Sequence, residues 1–173
     1  MILFKIIHKD FVNGWADYQK TGSFRNGARW NSPGTPVMYL SSNIQNAMLE
    51  ISNYSVSPKM ANKLFRMAVF EFASLRLYEM SPEDLPEMWN ADEHGTVTQE
   101  IGDKLLSSDN YDGFMAPSAA INNDIVSHPL NDVRRSAYGN VIVDIEKYGQ
   151  DKAELIDSYS PIFSQRMFSG TEQ

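Results

Sequence analysis

The chain has 173 residues, 42% of them hydrophobic and 21% charged, values that suit one globular domain able to bury its own core. Its net charge of −7 excludes a general nucleic-acid binder, because no basic excess exists to neutralise phosphates; a nucleotide needs only one or two placed arginines. The lack of cysteine excludes disulfides, thiol chemistry and cysteine-based zinc sites, and fits a cytoplasmic protein.

Residues Ile2 to Ile7 are apolar and isoleucine-rich, broken by Lys5, and read as a first strand. The first eight residues are too short to span a membrane and lack a signal peptide's arrangement, and no apolar run reaches membrane length. From 11 to 24 the composition is mixed. Trp15 and Tyr18 are expected to be partly buried, Phe11 to Tyr18 reads as a short helix or an irregular loop, and Thr21-Gly22-Ser23 reads as a turn. A short strand is expected over Ala28 to Asn31, carrying Arg29. Ser32-Pro33-Gly34-Thr35 then turns the chain, with Pro33 presetting φ and Gly34 supplying a positive φ. Val37 to Leu40 returns as its paired strand, with Val37 and Tyr39 on one face.

Ser41, Ser42 or Asn43 can cap a helix running to about Tyr54. Ile44, Ala47, Met48, Ile51 and Tyr54 form its apolar stripe; Glu50 lies at the stripe's edge, and Gln45, Asn46 and Asn53 fall on the polar side. Residues 55–62 read as a polar connection. Leu64 to Phe72 is apolar on both sides and predicts a buried strand, with Leu75 to Met80 as its partner. The acids between 83 and 92 read as a solvated loop. A helix is predicted over Thr96 to Ser107, with Ile101, Leu105 and Leu106 inward and Thr96 and Gln99 at capping-box spacing. Tyr111 to Ala120 holds a short strand ending at Pro117-Ser118, and residues 121–138 a polar loop. Asn140 to Ile145 is the best late strand, Lys152 to Tyr159 is ambiguous, and the tail after Ser169 is expected to be loose. Without strict βαβ alternation, the pattern predicts an α+β, mainly antiparallel fold over one domain, 1–173.

Most chemical signatures are absent. His8, His94 and His128 show no metal-ligand spacing, and the chain has no phosphate-binding glycine loop and no nucleophile elbow. Arg29, Tyr39 and Glu50 remain. Read alone, Arg29 suits a surface ion pair, Tyr39 a core position with a satisfied hydroxyl, and Glu50 a solvated helix flank, as readily as they suit a site.

The run Asn26-Gly27-Ala28-Arg29-Trp30-Asn31, then Gly34, Pro36-Val37, Tyr39-Leu40-Ser41, Ala47 and Glu50, resembles the RES domain family. Ile101-Gly102-Asp103-Lys104-Leu105-Leu106, Ala116-Pro117-Ser118 and Asn140 extend the resemblance over about residues 2–147, leaving 148–173 as a C-terminal extension. Lys5 stands where many members carry arginine, and Lys104 where they often carry tryptophan. The resemblance implies a fold like that of ADP-ribosyltransferases, with small, mainly antiparallel sheets and flanking helices around an NAD+ cleft. It implies the toxin of a type II toxin–antitoxin module that breaks the nicotinamide–ribose bond of NAD+ by hydrolysis or phosphorolysis. Transfer of ADP-ribose to a protein and non-enzymatic nucleotide binding are the alternatives. In this reading Glu50 stabilises the developing oxocarbenium, Arg29 holds the diphosphate and Tyr39 offers a ring face to nicotinamide. Ser118 bonds the ribose or nicotinamide end or orients Arg29, and Asn140 helps bind the nucleotide. NAD+ is the substrate, with no metal or further cofactor. The implied partner is an Xre-type helix-turn-helix antitoxin, and a homodimer is a family-level expectation. No direct nucleic-acid or membrane contact is expected.

Overall fold

The computed structural model describes residues 1–52, 57–91, 95–119, 125–126, 133–134 and 139–164. Strand β1 (Ile2–His8) leads into short 3-10 turns at Lys9–Gly14 and Tyr18–Lys20, then helix α1 (Gly22–Asn26). Strand β2 (Val37–Ser41) is followed by helices α2 (Ile44–Ser52) and α3 (Pro58–Leu64), and by strands β3 (Phe65–Phe72) and β4 (Leu77–Glu79). Helix α4 (Thr96–Leu106) precedes β5 (Gly113–Ala116), a two-residue pair β6 (Ile125–Val126) and β7 (Val133–Arg134), then β8 (Asn140–Asp144), α5 (Ile145–Tyr148) and β9 (Ala153–Tyr159).

Seven strands form one sheet in the order β4-β5-β8-β2-β1-β3-β9. All neighbours are antiparallel except β4 and β5. The expected α+β, mainly antiparallel architecture is therefore present. The two small sheets are joined, and thinly: β1 meets β2 at the single register pair Phe4–Ser41, whereas β1 runs along β3 for seven pairs. The sheet is thus two mainly antiparallel halves that part between β1 and β2.

Side-chain alternation along the strands explains the layers. On one face Leu3, Met38, Leu40, Phe70, Phe72, Val141 and Val143 form one core shared by both halves. The opposite face divides. Val37 and Ile142 pack with Trp30, Phe114 and Leu106 beneath α4, whereas Ile6 and Met67 pack with Ala47, Ala61 and Phe163 beneath α2 and α3. A shared core thus holds the halves together on one side, while the other side carries two separate clusters.

Several local expectations give way. Ala28 to Asn31 is no paired strand. Its ends hydrogen-bond each other (Ala28 N to Asn31 O, 3.0 Å), closing a tight loop that buries Trp30 and Asn31. Gly34 does take the expected positive φ, +89°. Thr21 starts α1 rather than a turn, its hydroxyl accepting from Phe24 N at 3.2 Å. The polar connection expected over 55–62 gives way to α3 (Pro58–Leu64), capped by Ser57 and opened by Pro58, a pair of start signals. Leu77–Glu79 pairs with β5 in parallel instead of with β3. Thr96 and Gln99 form no capping box: Gly95 is the cap residue, and Gln99 donates to Ala28 O at 3.0 Å. The ambiguous stretch near the C-terminus is strand β9. Tyr54, His94, His128, most of 121–138 and the tail from 165 onward lie outside the described residues.

Candidate functional site

Helix α2 begins where Asn43 Oδ1 accepts from Asn46 N at 2.8 Å. Its apolar stripe packs on Ile6 and Met67, and this leaves Glu50 at the border of the core, as its place on the helical wheel predicts. Glu50 Oε1 accepts from Ser118 Oγ at 2.6 Å and from Asn140 Nδ2 at 2.9 Å. Both donors come from the far half of the chain, from paired neighbouring strands: Ser118 follows β5, and Asn140 opens β8, where it pairs with Ala116 and Ser41. Both hydrogen bonds fall on one oxygen, and among the described residues Oε2 receives none.

Ser118 is fully buried. The expectation that it would orient Arg29 is replaced by a contact with the carboxylate. Asn46, expected on the polar side of its helix, is 1% exposed, and its Nδ2 donates to Asn140 Oδ1 at 2.8 Å and to Ser41 Oγ at 3.1 Å. The wheel misplaces it because a buried amide with partners on β2 and β8 is not distinguishable from a solvated one by periodicity.

Arg29 lies on the tight loop before β2. Its Nη1 donates to Trp89 O at 2.5 Å and its Nη2 to Ala91 O at 2.9 Å. Neutral carbonyls orient a guanidinium without neutralising it, and among the described residues no carboxylate pairs with it. The loop carrying Arg29 is held by α4. Gly102 lies so close that a Cβ there would come 1.9 Å from Trp30 O, and Asp103 accepts from Ser32 N at 3.1 Å. The Ile101-to-Leu106 motif thus supports the arginine loop.

Tyr39 is half-buried between the halves of the sheet. Its hydroxyl donates to Asn31 Oδ1 at 2.9 Å and accepts from Trp30 N at 3.1 Å. Lys5, outside the predicted site, reaches across the parting of the sheet and donates from Nζ to Tyr39 O at 2.8 Å. Burial pushes its ammonium down to about 8. The sequence signal for Lys5 was present: a lone cation inside an otherwise apolar strand.

A cleft of about 1420 Å³ opens at this parting, and Lys5, Arg29, Tyr39, Ser41, Glu50 and Asn140 all line it. The structure therefore brings together four of the five predicted residues on one cavity and places Ser118 directly behind Glu50. The cleft is large enough for a dinucleotide-sized ligand.

The fold and site define an α+β protein with a cleft where its sheet parts, with Glu50, Lys5, Arg29 and Tyr39 on its walls. The chain belongs to the RES domain family, whose sequence model matches residues 2–147. It is 26% identical over 132 residues to the Toxin Res of Yersinia enterocolitica, an alignment covering 75% of this chain and 84% of that protein. It is 25% identical over 150 residues to the Toxin Res of Photorhabdus laumondii, covering 80% and 94% respectively. Among solved structures it resembles the crystal structure of the M. tuberculosis MbcT–MbcA toxin–antitoxin complex. The TM-score is 0.64 at 16% identity, over 96% of this chain and 86% of that one, a likeness of fold. No helix among the described residues is long and apolar enough to cross a membrane.

Proposed function

We propose that this protein is the toxin of a toxin–antitoxin module and acts by cleaving the nicotinamide–ribose bond of NAD+, with water or phosphate accepting the ADP-ribose. The observation that carries the reading is the fixed carboxylate: Glu50 is held on one oxygen by Ser118 and Asn140 beside a cleft that also presents Arg29 and Tyr39. Departure of a neutral nicotinamide from a cationic ring leaves positive charge on the ribose. A preorganised carboxylate stabilises that charge, and nicotinamide needs no strong acid to leave. Arg29, oriented by carbonyls, retains its charge for the diphosphate. Tyr39 presents a ring at the cleft whose hydroxyl is already anchored, so the ring is preorganised to stack on nicotinamide. Ser118 acts through Glu50, to which its hydroxyl donates at 2.6 Å.

The relatives named Toxin Res and the fold shared with MbcT, solved as a complex with its antitoxin, support the toxin reading. By the family resemblance the partner is an Xre-type antitoxin that covers the cleft. The test is expression in cells. Wild-type protein lowers the NAD+ pool and stops growth, Glu50→Ala does neither, and co-expression of its Xre-type antitoxin relieves both. Growth arrest with an unchanged NAD+ pool, accompanied by labelled ADP-ribose on a cellular protein, replaces this reading with protein ADP-ribosylation.

A further inference from the structure

We propose that Asn46 is a positioning residue that fixes the direction of the hydrogen-bond chain ending on Glu50. An ionised carboxylate only accepts, so Asn140 must turn its Nδ2 toward Glu50, as it does at 2.9 Å. Asn140 Oδ1 then faces Asn46 and requires a donor. Asn46 supplies Nδ2 at 2.8 Å, and the same amide group reaches Ser41 Oγ at 3.1 Å. The consequence appears at the far end of the chain. Asn46 Oδ1 is buried without a hydrogen-bond partner among the described residues. Native proteins rarely carry such an orphan.

Turning the Asn46 amide over would give its oxygen the Ser41 hydroxyl as a donor. The same turn would set that oxygen against Asn140 Oδ1. Asn140 would have to turn in response, placing its carbonyl against Glu50. The orphaned oxygen is therefore the consequence of aiming a donor at the carboxylate. The amide is also wedged in place: a Cβ on Gly139 would lie 2.6 Å from Asn46 Cγ, so the backbone before Asn140 packs directly on it. Gly139 O in turn accepts from Ser42 N at 2.8 Å, tying that backbone to the start of α2. Asn46 touches neither the cleft nor a substrate and acts through Asn140.

Leucine and aspartate share the branched shape of asparagine and make the test. Asn46→Leu removes the orphaned oxygen but leaves Asn140 Oδ1 and Ser41 Oγ without that donor, so it is expected to stay folded with a thermal midpoint somewhat below that of the wild type. Asn46→Asp presents only acceptors and draws Asn140 Nδ2 away from Glu50. On the proposed NAD+ reaction, on which only this arm rests, kcat falls roughly 10- to 100-fold in Asn46→Leu and further in Asn46→Asp, the scale of a displaced catalytic group. KM changes by less than about threefold, since the loss lies in the transition state.

A second readout needs no turnover. In the wild type, the Asn140 side-chain NH2 resonance is shifted downfield by Glu50 and returns upfield in Glu50→Gln; in both Asn46 variants it moves the same way. Folded variants with wild-type kcat and an unmoved Asn140 resonance overturn the inference. Inactive wild-type protein refutes the NAD+ reading, and the Asn140 resonance still decides the role of Asn46. Should both variants unfold, nuclear Overhauser contacts in the wild type decide it: Asn46 NH2 protons must lie near Ser41 and Asn140, and the opposite amide orientation overturns the inference.

Discussion

Glu50 is fixed at one oxygen and, among the described residues, open at the other, and its neighbours contribute by holding it there. Glu50→Gln keeps size and loses charge; it is expected to lower NAD+ cleavage at least about 100-fold, measured by nicotinamide release, with a thermal midpoint near that of the wild type. Ser118→Ala removes one charge-assisted bond, worth about 1.5–3 kcal/mol, and leaves Asn140 in place, so a loss of about 10- to 100-fold in kcat is expected. Lys5 adds a pH dependence. Its folded value of about 8 lies below its ordinary 10.5, so between those values the unfolded chain binds the extra proton. Its contribution to stability is therefore present above 10.5 and lost as pH falls through about 8. The difference in thermal midpoint between wild type and Lys5→Met should shift in favour of the wild type from pH 8 to 10.5. A difference independent of pH would show that the ammonium is not desolvated. If the ammonium also attracts the NAD+ diphosphate, the KM of the wild type rises above pH 8 and that of Lys5→Met does not.

At the scale of elements, local chemistry was legible and pairing was not. The helix carrying Glu50, the Pro33-Gly34 turn and the strand at Asn140 follow from period, caps and turn residues close in sequence. Thr21 and Ser57-Pro58 carry equally clear start signals, hidden by short helices and polar surroundings. Partnership was illegible: an apolar run does not say which neighbour it joins, so β4 was matched with the wrong strand. Arg29, Tyr39 and Glu50 stood out as residue types, whereas the geometry of Arg29 and Glu50 depends on contacts 60 to 90 residues away, with Trp89, Ser118 and Asn140. Asn46 was missed for that reason. Gly102 shows how closely the elements meet. With a Cβ 1.9 Å from Trp30 O, Gly102→Ala must push α4 off the arginine loop. Overpacking of this kind costs about 1–3 kcal/mol or more. A lowered urea midpoint, with Arg29-dependent NAD+ binding weakened more than the fold itself, is the expected result.

Across the whole molecule, the C-terminal residues complete what the family match at 2–147 leaves open. Strand β9 pairs with β3, and the chain then returns to bury Phe163 with Ile6, Ala47 and Met67, under the helix that carries Glu50. Asn62 and Phe163 exchange two hydrogen bonds, at 3.0 and 2.7 Å. The extension was legible as sequence beyond the resemblance, but its packing beneath α2 was not, because Phe163 sits in a stretch with no regular apolar period. Phe163→Ala should cost about 3–5 kcal/mol in equilibrium unfolding. Part of that loss should appear as local opening of α2 in hydrogen exchange. The parting of the sheet, the two clusters beneath separate helices and the cleft between them all converge on Glu50. The most direct measurement is proton NMR of NAD+ incubated with purified, antitoxin-free protein, with and without phosphate. The account predicts free nicotinamide, together with ADP-ribose or its phosphorylated form, from the wild type and neither from Glu50→Gln. Intact NAD+ with folded wild-type protein under both conditions, or equal cleavage by the two proteins, would contradict it.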